Sequence, residues 1–218
     1  LNRRSRSSIE DVEIAVQRRE TTAAELGLIH RRYLGTAQLD LTAAHREGVP
    51  WLGGQQDASG RPPQAPTFRY ALQTLDVAAS VPFTLGGERL RWLSAWRGQT
   101  TGTPLYATEF FTIGGRYTVR GFDGEQMLAA ERGWYWRNEL EWTPGSPGPA
   151  AYFALDQGRV GGPSAAVLAG RRLVGGALGL RGAVGAFTFD VFAGRALSKP
   201  TGFTTARPAL GFQLSYQY

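Results

Sequence analysis

Cysteine is absent from this 218-residue sequence, and Lys199 is its only lysine. Without thiols the chain can hold no disulfide framework, no iron–sulfur cluster, no cysteine-ligated zinc and no thiol nucleophile. A run of 18 apolar residues is also absent, which excludes a transmembrane helix by hydropathy. Membrane barrels are not excluded, because each of their strands gives only a weak hydropathy signal.

The net charge of +6 comes almost entirely from arginine, and the arginines are spread along the whole chain. A nucleic-acid-binding protein usually gathers its basic residues in one tail, patch or helix face. No nucleic-acid partner is therefore predicted. The 42% of apolar residues, with six tryptophans, can bury or expose to lipid far more apolar surface than a disordered chain carries.

Strict alternation of apolar and polar residues recurs in segments of about nine to eleven residues, which is the period of a strand with two different faces. In 134–142, tryptophan and leucine oppose charged residues, and Asn138 is the one exception on the apolar face. In 68–79 the apolar set changes phase near Thr74 and Leu75, which predicts a bulge or a misplaced boundary. The pattern predicts about ten strands, at 12–16, 22–31, 39–46, 68–79, 90–97, 134–142, 150–157, 175–182, 184–195 and 210–218.

Two all-β folds fit this pattern: a soluble sandwich or ligand barrel, and an outer-membrane barrel. Aromatic residues lie near the ends of the apolar faces, as in the girdles of a membrane barrel, and soluble barrels usually have shorter strands. The opposite faces carry charges that a dry core could absorb only at a high desolvation cost. We therefore predict a transmembrane antiparallel barrel with an electropositive lumen, lined by Arg31, Arg46, Arg89, Arg91, Arg97, Arg137 and Arg181.

An enzyme is not predicted. His30 and His45 fall on faces assigned to lipid or to the interface, and we expect no acid beside either histidine on its own face. An Asp–His protease site is therefore not expected. The sequence has no G-x-S-x-G elbow and no zinc ligands at a usual spacing, so no metal and no cofactor are predicted.

One long loop, at about 99–130, interrupts the strand pattern, and a connection of this length is usually functional. Its centre reads Val119-Arg120-Gly121-Phe122-Asp123-Gly124 between further glycines, which permit a tight hairpin that can enter a narrow space. The guanidinium of Arg120 has the fork geometry that suits a carboxylate. Asp156, on an inward face with Gly158, is a candidate partner.

This motif resembles the inward-folded loop of TpsB transporters, the outer-membrane partners in two-partner secretion. Segments 21–35 and 39–51 resemble that family's barrel as well, so the resemblance covers essentially the whole chain. It implies that residues 1–218 are the carboxyl-terminal part of a sixteen-stranded barrel, with five strands after the loop. It also implies that Arg120 pairs with Asp156. The family commonly has an aromatic residue two positions before that aspartate, where this chain has Ala154.

The resemblance further implies a pore in the Gram-negative outer membrane that passes an unfolded adhesin, haemagglutinin or haemolysin to the cell surface without nucleotide hydrolysis. The expected partners are that secreted protein, the lipid of the membrane and the barrel-assembly machinery. The last strand carries the aromatic residues expected to act as the assembly signal, Phe212, Tyr216 and Tyr218. The alternative is a barrel-assembly factor of the same superfamily, which would share the arginine-glycine-aromatic loop.

Overall fold

The computed structural model describes residues 2–5, 8–9, 12–13, 19–145 and 148–217. Fourteen strands make up its regular structure, with three short 3-10 helices at Trp51–Gly53, Ala107–Glu109 and Pro163–Val167. The strands are β1 (Asn2–Ser5), β2 (Ser8–Ile9), β3 (Val12–Glu13), β4 (Arg19–Leu34), β5 (Ala37–Val49), β6 (Ala71–Leu85), β7 (Glu88–Thr101), β8 (Phe111–Ile113), β9 (Leu128–Ala130), β10 (Arg132–Thr143), β11 (Ala150–Gly161), β12 (Arg172–Val184), β13 (Phe187–Ser198) and β14 (Ala209–Tyr216).

Ten of these strands form one antiparallel sheet in the order β1-β4-β5-β6-β7-β10-β11-β12-β13-β14. Nine of the ten predicted segments correspond to strands of this sheet. The tenth, at 12–16, is described only at Val12–Glu13, which pairs with Ser8–Ile9 outside the sheet, and 14–16 lie outside the described residues. Five strands of the sheet follow the long loop, as predicted.

The phase change near Thr74 and Leu75 is not a bulge. It arises because Leu72 faces inward, where it is buried in a cluster with Tyr70 and Leu105, whereas Leu75 lies on the exposed outer face. The predicted boundary was also misplaced. Strand β6 begins at Ala71 instead of residue 68 and runs on to Leu85. Its register with β5 and with β7 is continuous on both sides. A register shift does occur in the sheet, but it lies between Val174 and Gly175 of β12, which no sequence pattern indicated.

The two faces of the sheet have the opposite exposure to those of a soluble protein. On β10, Glu139 and Glu141 are buried, whereas Leu140 and Trp142 between them are exposed. On β14, Phe212 is 76% exposed. Apolar residues on an outer face and charges on an inner one are the arrangement of a barrel wall in lipid.

The connections between strands differ in length at the two ends of the sheet. Two-residue turns join β4 to β5, β6 to β7 and β12 to β13. Each has a glycine at positive φ: Gly35, Gly86 and Gly185. The opposite end carries the long connections 50–70, 102–131, 162–171 and 199–208. In outer-membrane barrels the short turns are periplasmic and the long loops extracellular.

The main apolar cluster lies on the inner side of the sheet, where the long loop packs. It combines loop residues with wall residues such as Val160 and Leu173, and it includes Phe203 from the connection after β13. No helix in the described part of the chain is long and apolar enough to cross a membrane.

Candidate functional site: the inward-folded loop and its wall contacts

The loop 102–131 enters the inner side of the sheet as a small hairpin. Strands β8 and β9 pair through Phe111 with Ala130 and through Ile113 with Leu128. Beyond them, Gly114 adopts a φ of 123°, and the hydroxyl of Thr118 accepts the N–H groups of Gly114 at 3.1 Å and Gly115 at 3.2 Å. This local turn presents the next residues to the wall.

Arg120 lies at the end of that turn and is only 5% exposed. Its Nε donates to Oδ2 of Asp156 at 2.7 Å, and its Nη2 donates to Oδ1 at 2.9 Å. The backbone N–H of Arg120 also donates to Oδ2 of Asp156, at 3.0 Å. A two-pronged guanidinium–carboxylate pair of this kind is charge-assisted and fixes geometry as well as distance.

Asp156 is 0% exposed and projects from β11 on the same inward face as Tyr152, Ala154 and Gly158. Besides its bonds to Arg120, it accepts the backbone N–H of Asn138 at 3.2 Å. Nε of Arg137 lies 3.7 Å from its Oδ2. The carboxylate therefore ties the loop to two neighbouring strands of the wall.

A second buried acid also contacts Arg120. Glu139, which is opposite Ala154 in the pairing of β10 with β11, accepts a hydrogen bond from Nη1 of Arg120. Because Ala154 carries only a methyl group, the space above it is open to the side chain of its neighbour. The residue type at 154 and the inward face of Glu139 were both visible in the sequence, but the contact with Arg120 was not predicted.

The charges continue beyond this pair along the inner face. Arg181 of β12 lies 2.8 Å from Glu139, 3.3 Å from Glu141 and 3.6 Å from Asp190. Tyr152 donates its hydroxyl to Asp190 at 2.8 Å, and the Arg181 guanidinium stacks 4.3 Å above the tyrosine ring. Arg120 is thus one end of a connected polar network.

This network corrects the expected charge of the lumen. Six of the seven arginines expected there contact carboxylates, and Arg89 instead donates to the carbonyl oxygen of Gly145. The pairs are Arg31–Asp40, Arg46–Glu25, Arg91–Glu141, Arg97–Asp76, Arg137–Asp156 and Arg181–Glu139. The inner face carries both signs in close pairs, so a strongly electropositive lining is not what these residues form.

The loop backbone touches the wall where the wall has glycines. Gly121 has a φ of 101°, and a side chain there would overlap the carbonyl of Arg195. A Cβ at Gly194 would lie 2.8 Å from the Cα of Gly121, and one at Gly175 would overlap the carbonyl oxygen of Arg120. Gly158 leaves room for Ile113, whose methyl groups would lie 3.2 Å from a Cβ at 158.

The other motif residues anchor the loop on either side of Arg120. Val119 is fully buried, and the ring of Phe122 packs edge-on against Phe203 with centroids 5.7 Å apart.

Asp123 accepts the N–H groups of Ala206 and Glu125, and its own N–H donates to Thr205. The amide oxygen of Gln126 accepts the N–H of Thr204 at 2.6 Å. The motif therefore joins the connection after β13 to the loop. Gly124, with a φ of 89°, follows Asp123 in the return limb.

The aromatic residues of the last strand face outward. Phe212 and Tyr216 are both exposed, and Tyr216 packs against Phe187 at 5.0 Å between ring centroids. Tyr218, the third residue expected in the assembly signal, lies outside the described residues.

The histidine expectation was wrong in one respect. Nε2 of His45 lies 2.9 Å from Oε1 of Glu47, two residues further along the same face of β5. Nδ1 of His45 lies 3.2 Å from the amide nitrogen of Gln73. The cluster is on the outer face, away from Arg120. Across the described ranges, no group of three or more His, Cys, Asp or Glu residues is arranged to hold a metal ion.

A sheet with buried charges, an apolar outer face and a loop folded inward from its long-loop end defines part of an outer-membrane barrel. Residues 1–182 match the family model described as haemolysin secretion/activation protein ShlB/FhaC/HecB. The chain belongs to this family of outer-membrane transporters, and the resemblance to two-partner secretion proteins is confirmed.

Individual relatives agree with the family match. The outer membrane transporter CdiB-2 of Burkholderia pseudomallei is 41% identical over 216 residues, which cover 97% of this chain and 37% of that protein. The solved structure of CdiB from Acinetobacter baumannii superposes with a TM-score of 0.86 at 35% identity, over 99% of this chain and 37% of that one. CdiB from Escherichia coli gives 0.85 at 26% identity, over 94% and 38%. The chain thus spans less than two fifths of these relatives' length.

Proposed function

We propose that this chain is the carboxyl-terminal part of a sixteen-stranded outer-membrane pore that passes an unfolded partner protein from the periplasm to the cell surface. The partner is of the adhesin, haemagglutinin or haemolysin type, and nucleotide hydrolysis is not needed. Membership of the haemolysin secretion/activation family and the likeness to CdiB transporters support this proposal.

The contact of Arg120 with Asp156 and Glu139 is the observation that carries the proposal further. A loop packed against the inner wall occupies space that a translocating chain needs. The pair is a latch that holds the loop in one position between transport events. Deleting one partner of such a buried pair leaves an unpaired charge, which typically costs about 3–5 kcal/mol.

Secretion by the full-length transporter tests the latch. Arg120→Ala and Asp156→Ala are each compared with Arg31→Ala, which removes an exposed inner-face arginine that pairs with a single carboxylate, that of Asp40. We expect the first two variants to lose secretion of the partner protein and the third to retain it, at equal amounts of heat-modifiable barrel in the outer membrane. Normal secretion by Arg120→Ala would refute the latch.

The same strains separate secretion from the alternative function, barrel assembly. If the Arg120 variant causes other outer-membrane proteins to fail to assemble, the assembly-factor function replaces the secretion function. Energy use is tested in proteoliposomes that hold the transporter and an unfolded partner without nucleotide. Protection of the partner inside the vesicles is the expected result, and a requirement for added ATP would contradict the proposal.

Contacts with lipid and with the assembly machinery complete the proposal. The outward aromatic residues Phe212 and Tyr216 in β14 support an assembly signal on this strand, together with Tyr218. Phe212→Ala and Tyr216→Ala should lower the amount of folded barrel in the membrane without changing secretion per folded molecule.

A further inference from the structure

Three arginines face outward at the long-loop end of neighbouring strands. Arg132 begins β10, Arg159 lies near the end of β11, and Arg172 begins β12. Each is exposed, and each alternates with the buried residues of its strand. The latch involves the inner face, so it does not account for this outer group.

The sheet register brings the three side chains together. Arg159 is directly opposite Arg172, and Arg132 is opposite Gly161, two residues further along β11 from Arg159. Directly opposed residues in an antiparallel pair have Cβ atoms about 4.5–5.5 Å apart, and diagonal neighbours about 7–8 Å. Like charges at these separations repel, and a bound anion would relieve that repulsion.

No carboxylate of the described residues forms an ion pair with any of the three. Arg172 donates to the amide oxygen of Gln157 at 3.1 Å, which is a neutral partner. The adjacent acid, Glu131, is buried and points the other way, where it accepts hydrogen bonds from the backbone and hydroxyl of Ser164. The positive charge of the cluster is therefore free for an external anion.

The depth of the cluster matches a lipid headgroup. Arg159 is level with Trp134, the tryptophan at the long-loop end of β10, and Trp142 marks the other end of that strand. Tryptophans at these positions form the interfacial girdles of a membrane barrel. The arginines thus lie at the outer, extracellular interface, where charged headgroups begin.

Apolar space continues from the arginines toward the membrane interior. A cavity of about 340 Å³ is lined by Arg132, Trp134 and Arg159, together with Gly133. A second cavity of about 310 Å³ shares Trp134 and is lined further down by Leu75, Trp96 and Gly98. Together they give a polar upper end and an apolar lower end on one surface, which suits an amphipathic ligand and not a free anion.

We propose that Arg132, Arg159 and Arg172 form a binding site for the phosphate groups of a phosphorylated glycolipid of the outer leaflet, whose acyl chains lie in the apolar depressions beside Trp134 and Trp96. Arginine forks bind phosphate oxygens in pairs, and the partly lipidic surroundings strengthen each contact. The site goes beyond the proposed secretion function and does not depend on it. It fixes this side of the barrel to the outer leaflet.

Native mass spectrometry of the full-length transporter in detergent, with added lipid A carrying both phosphates, tests the site. We expect Arg159→Gln/Arg172→Gln to weaken lipid A binding roughly tenfold to thirtyfold. The matched control is Arg32→Gln, which removes an exposed outward arginine at the short-turn end of β4 and should bind lipid A as the unaltered protein does. Equal binding by the double variant and the unaltered protein would overturn the proposal.

Two further probes identify the ligand chemistry. Dephosphorylated lipid A should bind weakly, and inorganic phosphate should neither bind measurably nor displace lipid A. If dephosphorylated lipid A binds as tightly as the phosphorylated form, phosphate recognition is wrong, and if inorganic phosphate alone binds as well, the lipid assignment is wrong. Should the double variant fail to form a heat-modifiable barrel, the two single variants take its place, with a weakening of about threefold to sixfold expected for each.

Discussion

The carbonyl oxygen of Arg120 lies so close to Gly175 that any side chain at position 175 would overlap it. The loop approaches the wall through backbone, not only through the guanidinium. Gly121 and Gly194 make a similar contact on the next strand, where a Cβ at 194 would stand 2.8 Å from the loop. The buried ion pair thus depends on wall positions that carry no side chain.

Gly175→Ala should displace the loop while the barrel still forms. The added methyl group meets a backbone atom, which cannot rotate away as a side chain could. Because the chain has no cysteine, a single Val119→Cys reports directly on docking: Val119 is fully buried when the loop is in place. We expect thiol labelling of Cys at this position to become fast in the Gly175→Ala background.

Gly161→Ala is the matched control for that measurement. It lies in β11, its φ is not positive, and a Cβ there would meet no atom within 4 Å. Labelling in the Gly161→Ala background should stay as slow as in the parent. Slow labelling in the Gly175→Ala background would show that the loop tolerates the added methyl group.

The sequence alone predicted the strands and their faces well, because lipid and a wet lumen impose a period-two pattern that reads directly along each strand. It predicted poorly where the pattern is not periodic. The register shift at Val174 and Gly175 has no signature in alternation, and the start of β6 was misplaced by three residues. Glycines that admit the loop resemble any other strand glycines in sequence.

The polar network shows a second limit of prediction from sequence. Arginines and acids on inner faces were recognised individually, and a net charge was inferred from the arginines. The cross-strand register then joins Arg91 to Glu141 and Arg97 to Asp76, which balances those charges. Such pairing depends on which residues lie opposite one another, and register is set by turns and packing that a single strand does not encode.

Asp156→Asn should loosen the loop more than Glu139→Gln does. Asp156 accepts three hydrogen bonds from Arg120, including one from its backbone, whereas Glu139 accepts one. Arg181 would also keep Glu141 and Asp190 as partners if Glu139 lost its charge. We expect about 3–5 kcal/mol of docking free energy lost for Asp156→Asn and about 1–3 kcal/mol for Glu139→Gln.

The Val119→Cys labelling rate measures both losses on one scale, since the rate reports the population of the undocked loop. A double-mutant cycle with Arg120→Gln gives the coupling of each acid to the arginine. A larger effect from Glu139→Gln than from Asp156→Asn would reverse the assignment of the main partner.

The contact between Asp123 and the 199–208 connection should be insensitive to pH across the neutral range and should loosen only in acid. Hydrogen bonds from the N–H groups of Ala206 and Glu125 and with the hydroxyl of Thr205 hold the pKa of Asp123 below its ordinary value. A lowered pKa means that the contact is stabilised above the undocked pKa of about 4 and is lost as pH falls through the docked pKa. Protease cleavage of the 199–208 connection should therefore be constant from about pH 5 to 8 and rise below about pH 4.

Asp123→Asn is the control for that pH dependence. The amide keeps the oxygen acceptor but cannot titrate, so cleavage should lose its acid-dependent rise attributable to this contact. An unchanged rise in the Asn variant would assign the acid sensitivity to another group.

The polar residues on the lipid-facing side near the middle of β7 and β10 should behave as a unit. Ser94 is directly opposite Asn138, donates to its Oδ1 at 3.0 Å and accepts the indole N–H of Trp136 at 2.8 Å. Ser94→Ala leaves Asn138 and Trp136 without their shared hydrogen-bond partner, in a medium that offers no other donor or acceptor. It should therefore lower the free energy of barrel unfolding by about 1–2 kcal/mol. Removing all three polar groups in Ser94→Ala/Asn138→Leu/Trp136→Phe should recover most of that loss, because no unpaired group is left. Urea unfolding in lipid bilayers measures both changes.

Ser80→Ala, on the inner face, is the control and should change stability little. If the triple variant were less stable than Ser94→Ala, the three side chains would stabilise the barrel by more than their hydrogen bonds to one another.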